Sequence, residues 1–252
     1  MNEGLIIVLS GVVISTLVTT LGIGGGILWT PLFILGFGLL PHKAVTTSFM
    51  IQVVGLGSGT IAYLRAGLVQ TRLVILLFIA ALPGVIIGSV LSVQIPQKFV
   101  QMALGMMSLT LAILFVSLAS PLSTERQTNL NKELLLKILP IPGFLGFMMG
   151  ALSVGISEWL LPALRGRLGL TMPEAVATVI PVMFGLATVA TLSHGLLSDT
   201  NCWYYFAWGA VGTMIGGQLG PRLAQRIDEE FLKDSFIYLM TLVGIHLIFQ
   251  SI

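Results

Sequence analysis

The chain has 252 residues, of which 56% are hydrophobic and only 9% charged, whereas an ordinary soluble domain carries about 25% charged residues. A formal charge of +2 is too small to mark a nucleic-acid partner, and the single cysteine, Cys202, excludes an intramolecular disulfide and a cysteine metal cluster. The runs 73–97, 99–124 and 200–221 contain no charge, and each exceeds the roughly 20 residues that cross a bilayer.

These features predict an all-α polytopic membrane protein. Its start, MNEGLIIVLS, lacks the basic region of a cleavable signal peptide. The first apolar segment is therefore expected in the mature fold. Pro, Gly and charge divide the chain into ten segments, at 5–21, 27–40, 44–64, 73–93, 99–119, 134–152, 157–168, 174–196, 202–221 and 234–250. The second and seventh are too short to span a hydrocarbon core of about 30 Å at 1.5 Å per residue.

If every segment reverses the side, Lys43 and Lys98 fall on one face and the other ten Lys and Arg residues on the opposite one. Basic residues accumulate on the cytoplasmic side, so both termini are expected outside the cytoplasmic membrane. An eight-span alternative splits the charges five against seven and loses the bias. The charge count does not separate a two-segment crossing from a re-entrant hairpin, since both return the chain to its starting side.

Sliding the chain against itself by 131 residues pairs Gly24 with Gly155, Pro31 with Pro162, Ala44-Val45 with Ala175-Val176 and Thr47 with Thr178. After a three-residue deletion, Gly84 meets Gly212 and Gly88 meets Gly216. Shared apolar composition gives some matches by chance, but these concentrate on Gly and Pro. Two five-segment repeats follow, 1–120 and 138–252, joined by the polar linker 121–137. An odd number of segments inserts the second copy upside down. Inverted repeats with glycine-interrupted segments in matching positions mark secondary transporters. About ten transmembrane or re-entrant helices are expected in all, with one hairpin tipped by 22–26 and the other by 153–157.

The first tip reads GIGGGILWTP (22–31). It is not a phosphate loop, because no Lys-Ser/Thr follows, and not a dinucleotide fingerprint, because Ile27 stands where the last Gly is needed. Two readings remain. The glycines permit a tight reversal that aims free helix N–H groups at an anion, or they allow close helix packing.

Residues 22–50, GIGGGILWTPLFILGFGLLPHKAVTTSFM, resemble the leading motif of the TauE/SafE sulfite exporter family. That resemblance implies a membrane permease for sulfur-containing anions such as sulfite, thiosulfate or organosulfonates. It carries over Gly24, Gly25, Gly26, Pro31, Ala44, Thr47 and Ser48 as a first half-site. The second copy departs from the motif, reading SVGISEWLLP (153–162), which brings Ser153, Ser157 and Glu158 forward.

An intramembrane carboxylate is a functional candidate by default. Glu158 is expected either to bind or shuttle a proton beside the anion, or to cap the short helix that follows. Trp29 and Trp159 are candidates to close a cavity, or are packing. Gln52, Thr46, Thr47, Ser48 and Thr178 offer donors to oxyanions, though membrane Ser and Thr also bond their own helix. Gln218 is a further candidate to line the same space.

His42, His194 and His246 have no ligand spacing, so no metal site and no cofactor are expected. No nucleophile–base pair is evident, and an enzyme is not expected. The expected partners are a small anion, the lipid bilayer and, as a candidate coupled ion, the proton. Alternatives are an anion channel or a carrier of other small organic anions.

Overall fold

The structure, a computed structural model, describes residues 3–92, 94–117, 140–168, 170–197, 202–223, 234, 237–238, 241–242 and 244–249. The linker 121–137 and parts of the last segment lie outside the described residues. Among those described there is no strand. The helices are α1 (Glu3–Leu21), α2 (Gly26–Pro31), α3 (Pro41–Arg65), α4 (Thr71–Ser92), α5 (Gln97–Ser117), α6 (Pro140–Leu152), α7 (Ile156–Leu168), α8 (Met172–Leu197) and α9 (Trp203–Leu223).

By length and composition, α1, α3, α4 and the Pro173–Gly195 part of α8 can each cross a membrane. Gly26–Gly36 and Ile141–Leu152 are shorter apolar helices. Large apolar side chains on the outer faces are exposed, among them Val13 on α1, Ile79 on α4, Ile113 on α5 and Met214 on α9. This is the surface that lipid tails cover, so the helices are apolar outside as well as in.

The second expected segment, 27–40, is broken rather than continuous. Pro31 supplies no N–H to the preceding turn, and the chain after it, Leu32–Gly36, winds as a π-helix. Such π-windings occur mostly as single turns within α-helices. Gly38, at φ +64°, then takes the left-handed turn that glycine tolerates best. The next helix begins at Pro41, in the first turn where a missing N–H costs nothing.

Helix contacts are made where side chains are smallest. At the α1–α9 crossing, an added Cβ on Gly11 would stand 3.0 Å from Gly212 Cα, and one on Gly212 would strike the Val8 carbonyl. The hydroxyl of Ser15 donates to Thr213 O at 3.0 Å and that of Thr20 to Gly220 O at 3.1 Å. The α4–α6 crossing is built alike: Cβ atoms on Gly84, Gly88, Gly146 and Gly150 would each meet backbone carbonyls of the facing helix. Close backbone approach of this kind drives helix association where lipid and side chains are equally apolar.

Helix α3 lies at the centre, against α9, α8 and α2, and α4 packs on α8 while α7 packs on α8. Gln218 on α9 donates its amide to Ser58 O at 2.8 Å and to Ser58 Oγ at 3.0 Å. Tyr63 OH donates to Thr19 O at 2.6 Å, tying the end of α3 to α1. These bonds hold the scaffold that carries the two short helices α2 and α7.

Candidate functional site

Each short helix begins at a reversal of the chain. After α1, Gly22 turns at φ +71° and its N–H bonds Val18 O at 2.9 Å, ending the helix and freeing 23–25 to double back. After α6, Ser153 takes φ +64°, a left-handed conformation uncommon for a residue with a side chain, and Gly155 follows at φ +128°. The Ser153 N–H bonds Met149 O at 2.7 Å, so the turn caps α6 as it reverses it.

The two tips touch. A Cβ on Gly26 would overlap the Ser153 carbonyl, and one on Gly24 would stand 3.0 Å from Ser157 Oγ. Only glycine lets the first tip come so close.

Glu158, in the first turn of α7 and 2% exposed, bridges them. The backbone N–H of Gly24 donates to its Oε1 at 3.0 Å, and that of Gly155 donates to its Oε2 at 3.0 Å. A carboxylate is acceptor-only when ionised, and such charge-assisted bonds are roughly twice as strong as neutral ones. Its place at the start of α7 adds the favourable end of the helix dipole. Capping of α7 and bridging to the first tip are thus performed by the same side chain.

Beside the carboxylate, α3 contributes a neutral polar cluster. Gln52 Nε2 donates to Ser153 Oγ at 2.7 Å and to Ser48 Oγ at 3.1 Å, and the two serine hydroxyls lie 3.3 Å apart. The amide orientation follows from these partners and from Ser48 O, an acceptor at 3.3 Å. Gln52 Oε1 is then left buried without a hydrogen-bond partner. A buried acceptor without a donor costs about 1–3 kcal/mol. It is a place for a water or for a ligand that carries a hydrogen. Gly25 packs on the same side chain, its would-be Cβ 3.0 Å from Gln52 Cγ.

The expected site residues therefore separate into two sets. Gly24, Gly25, Gly26, Ser48, Gln52, Ser153, Ser157 and Glu158 meet at the tips. Thr47 and Thr178 are fully buried, but their hydroxyls donate to Lys43 O at 2.7 Å and Glu174 O at 2.8 Å in their own helices. Trp29 is buried and stacked on Phe33, centroids 5.2 Å apart, while Trp159 is 38% exposed. The two tryptophans thus face different surroundings. Gln218 is engaged with Ser58 between α9 and α3.

One contributor was absent from the expected set: the backbone of Gly155, which donates to Glu158 Oε2. Its pairing with Gly24 across the repeat was the signal that could have found it.

Comparison with known proteins points to one family. A family model described as "Sulfite exporter TauE/SafE" matches residues 7–247. The chain is 23% identical to "Probable membrane transporter protein YunE" of Bacillus subtilis (strain 168), covering 98% of both chains. It is 24% identical to a "Probable membrane transporter protein" of Xylella fastidiosa (strain Temecula1 / ATCC 700964), over 96% of this chain and 94% of that one. A "Probable membrane transporter protein ORF9" of Sinorhizobium sp is 20% identical over 89% of this chain and 85% of its own. No solved structure matches. With nearly its whole length matched, and with apolar helices long enough to cross a membrane, the chain belongs to the sulfite exporter TauE/SafE family of membrane proteins.

Proposed function

We propose that this membrane transporter is a secondary carrier for small sulfur-containing anions such as sulfite, thiosulfate or organosulfonates, working by alternating access in the cytoplasmic membrane. The observation that carries the proposal is the meeting of two glycine-dependent tips around one buried carboxylate and one amide–serine cluster. Backbone N–H groups that hold a carboxylate are the kind of donor that the anionic oxygens of a sulfonate also accept from.

Support for two inverted halves, 1–120 and 138–252, comes from the contact pattern. Exchanging α1 with α6, α2 with α7, α3 with α8 and α4 with α9 converts the α1–α9 contact into α6–α4, α3–α9 into α8–α4, and α2–α3 into α7–α8. All six pairs occur, as does α3–α8, which the exchange maps onto itself. Gly24 and Gly155, matched by the same exchange, hold the two oxygens of Glu158. Glu158 is the proposed proton carrier: its bridge to both tips requires lone pairs, so taking up a proton weakens one of the two bonds and frees the tips to separate.

The test is uptake and counterflow in proteoliposomes, after a thermal-shift screen against sulfite, thiosulfate, taurine, sulfoacetate and simple carboxylates. A carrier accumulates labelled substrate against an opposing unlabelled gradient. Flux without counterflow would identify an anion channel instead, and stabilisation by carboxylates alone would move the substrate class to other organic anions.

A further inference from the structure

A second cavity lies on the side of the α2–α3 and α4–α5 connections. Its volume is about 390 Å³, and its mixed lining sets His42, Thr46, Ser92, Gln94 and His194 among apolar residues that include Ala151. That volume falls within the roughly 300–1,000 Å³ of small-molecule sites. His42 and Gln94 are exposed, whereas Thr46, Ala151 and His194 are buried. The cavity is therefore a funnel with a wet rim and a dry floor.

Its floor lies close to the tips along the chain. Thr46 and Ala151 each stand two residues before a member of the amide–serine cluster, Ser48 and Ser153. His194 Nε2 lies 2.9 Å from the carbonyl of Gly150, covering an acceptor next to Ala151, and its ring rests on Phe49 with centroids 5.4 Å apart.

Among the described residues no charged side chain lines it, and the charges nearest to it along the chain are basic. Lys43 follows His42, and Lys98 lies between the lining residues Pro96 and Val100. The hydroxyls of Thr46 and Ser92 are spent on His42 O and Ser89 O. His42 and Gln94 are left to offer donors at the rim. A cleft with low-dielectric walls and charge of one sign concentrates the opposite ion.

We propose that this cavity is the access chamber through which a small oxyanion or sulfonate reaches the tip cluster, with His42, Gln94 and the two flanking lysines as its selective mouth. The inference rests on the carrier reading above and assigns that carrier its route.

The experiment replaces Cys202 with Ser and introduces Ser92→Cys in the chamber, with Gln94→Cys at the rim as a second reporter should the first not fold. Modification is followed with an anionic and a cationic methanethiosulfonate of similar size. The anionic-to-cationic rate ratio is expected about tenfold above that for a free thiol in solution. It should collapse in the Lys43→Gln/Lys98→Gln background, and sulfoacetate should slow the anionic reaction. Sulfoacetate is the protecting probe because sulfite and thiosulfate attack the reagents themselves. An unshifted ratio at both reporters overturns the chamber, even if wild-type proteoliposomes exchange sulfonate and the carrier reading stands. A shifted ratio with no sulfonate exchange supports the chamber and removes the carrier reading's substrate.

Discussion

Gly24 and Gly155, matched positions 131 residues apart, donate their backbone N–H groups to the two oxygens of one carboxylate, that of Glu158. Neither glycine contributes a side chain. The bond between the two tips is therefore made by main chain on both sides and by one acidic residue from the second half. Substitutions at the glycines act through space, whereas those at Glu158 act through charge, and the two can be told apart.

The glycines of the first tip should differ in their tolerance. On Gly26 a Cβ would overlap the Ser153 carbonyl, which is backbone and cannot swing away. On Gly25 it would meet the side chain of Gln52, which can. Gly26→Ala is expected to lower the thermal midpoint and stop transport, with an overpacking cost of about 1–3 kcal/mol. Gly25→Ala should fold nearly normally, and Gly25→Leu should fold with modest loss yet abolish transport by displacing Gln52. Detergent-solubilised melting curves beside uptake assays check both. Equal tolerance at the two positions would contradict the close approach of the tips.

Ser153 separates strain from function. Its left-handed backbone suits glycine better than serine, and Ser153→Gly should recover about 1 kcal/mol from that source. It also loses the hydrogen bond from Gln52, worth about 0.5–1.5 kcal/mol. The melting temperature is thus expected to stay within a few degrees of wild type. Transport should fall at least tenfold, because Gln52 and Ser48 lose their shared partner. A variant that transports normally would make the serine a structural cap of α6.

The helix plan was legible because Pro, Gly and charge interrupt an otherwise apolar sequence: α4 and α9 begin and end within two residues of the expected segments. The π-winding at Leu32–Gly36 was not, since Leu, Phe and Ile read alike in any helix. In the site, the glycine tips announced themselves by composition. Where a hydroxyl points did not: Thr47 and Ser48 are neighbours in sequence, yet one bonds its own helix and the other faces Gln52 and Ser153. The chamber was hidden because His194 and His42 come together only through the α3–α8 and α4–α8 contacts.

The two-against-ten division of Lys and Arg predicts an orientation in the membrane that labelling can check. In a Cys202→Ser background, single cysteines at positions 2, 96 and 200 are expected to react with an impermeant maleimide in intact cells. Cysteines at positions 69, 129 and 228 should react only after permeabilisation. Labelling of position 129 from outside would place the linker on the wrong side and remove the inverted-repeat proposal.

Glu158→Gln isolates the carboxylate. The amide keeps one acceptor oxygen for one tip glycine but turns an NH₂ toward the other, so one of the two bonds at 3.0 Å becomes a donor facing a donor. Leaving a buried donor without its acceptor costs about 1–3 kcal/mol, and a lower melting temperature is expected. Transport tests the titratable group itself. Substrate binding persists in the variant, while accumulation driven by an imposed pH gradient is lost and exchange of substrate for substrate remains. Wild-type pH dependence of gradient-driven accumulation in Glu158→Gln proteoliposomes would leave Glu158 as a cap of α7 and a tie between the tips, with the coupled proton carried elsewhere.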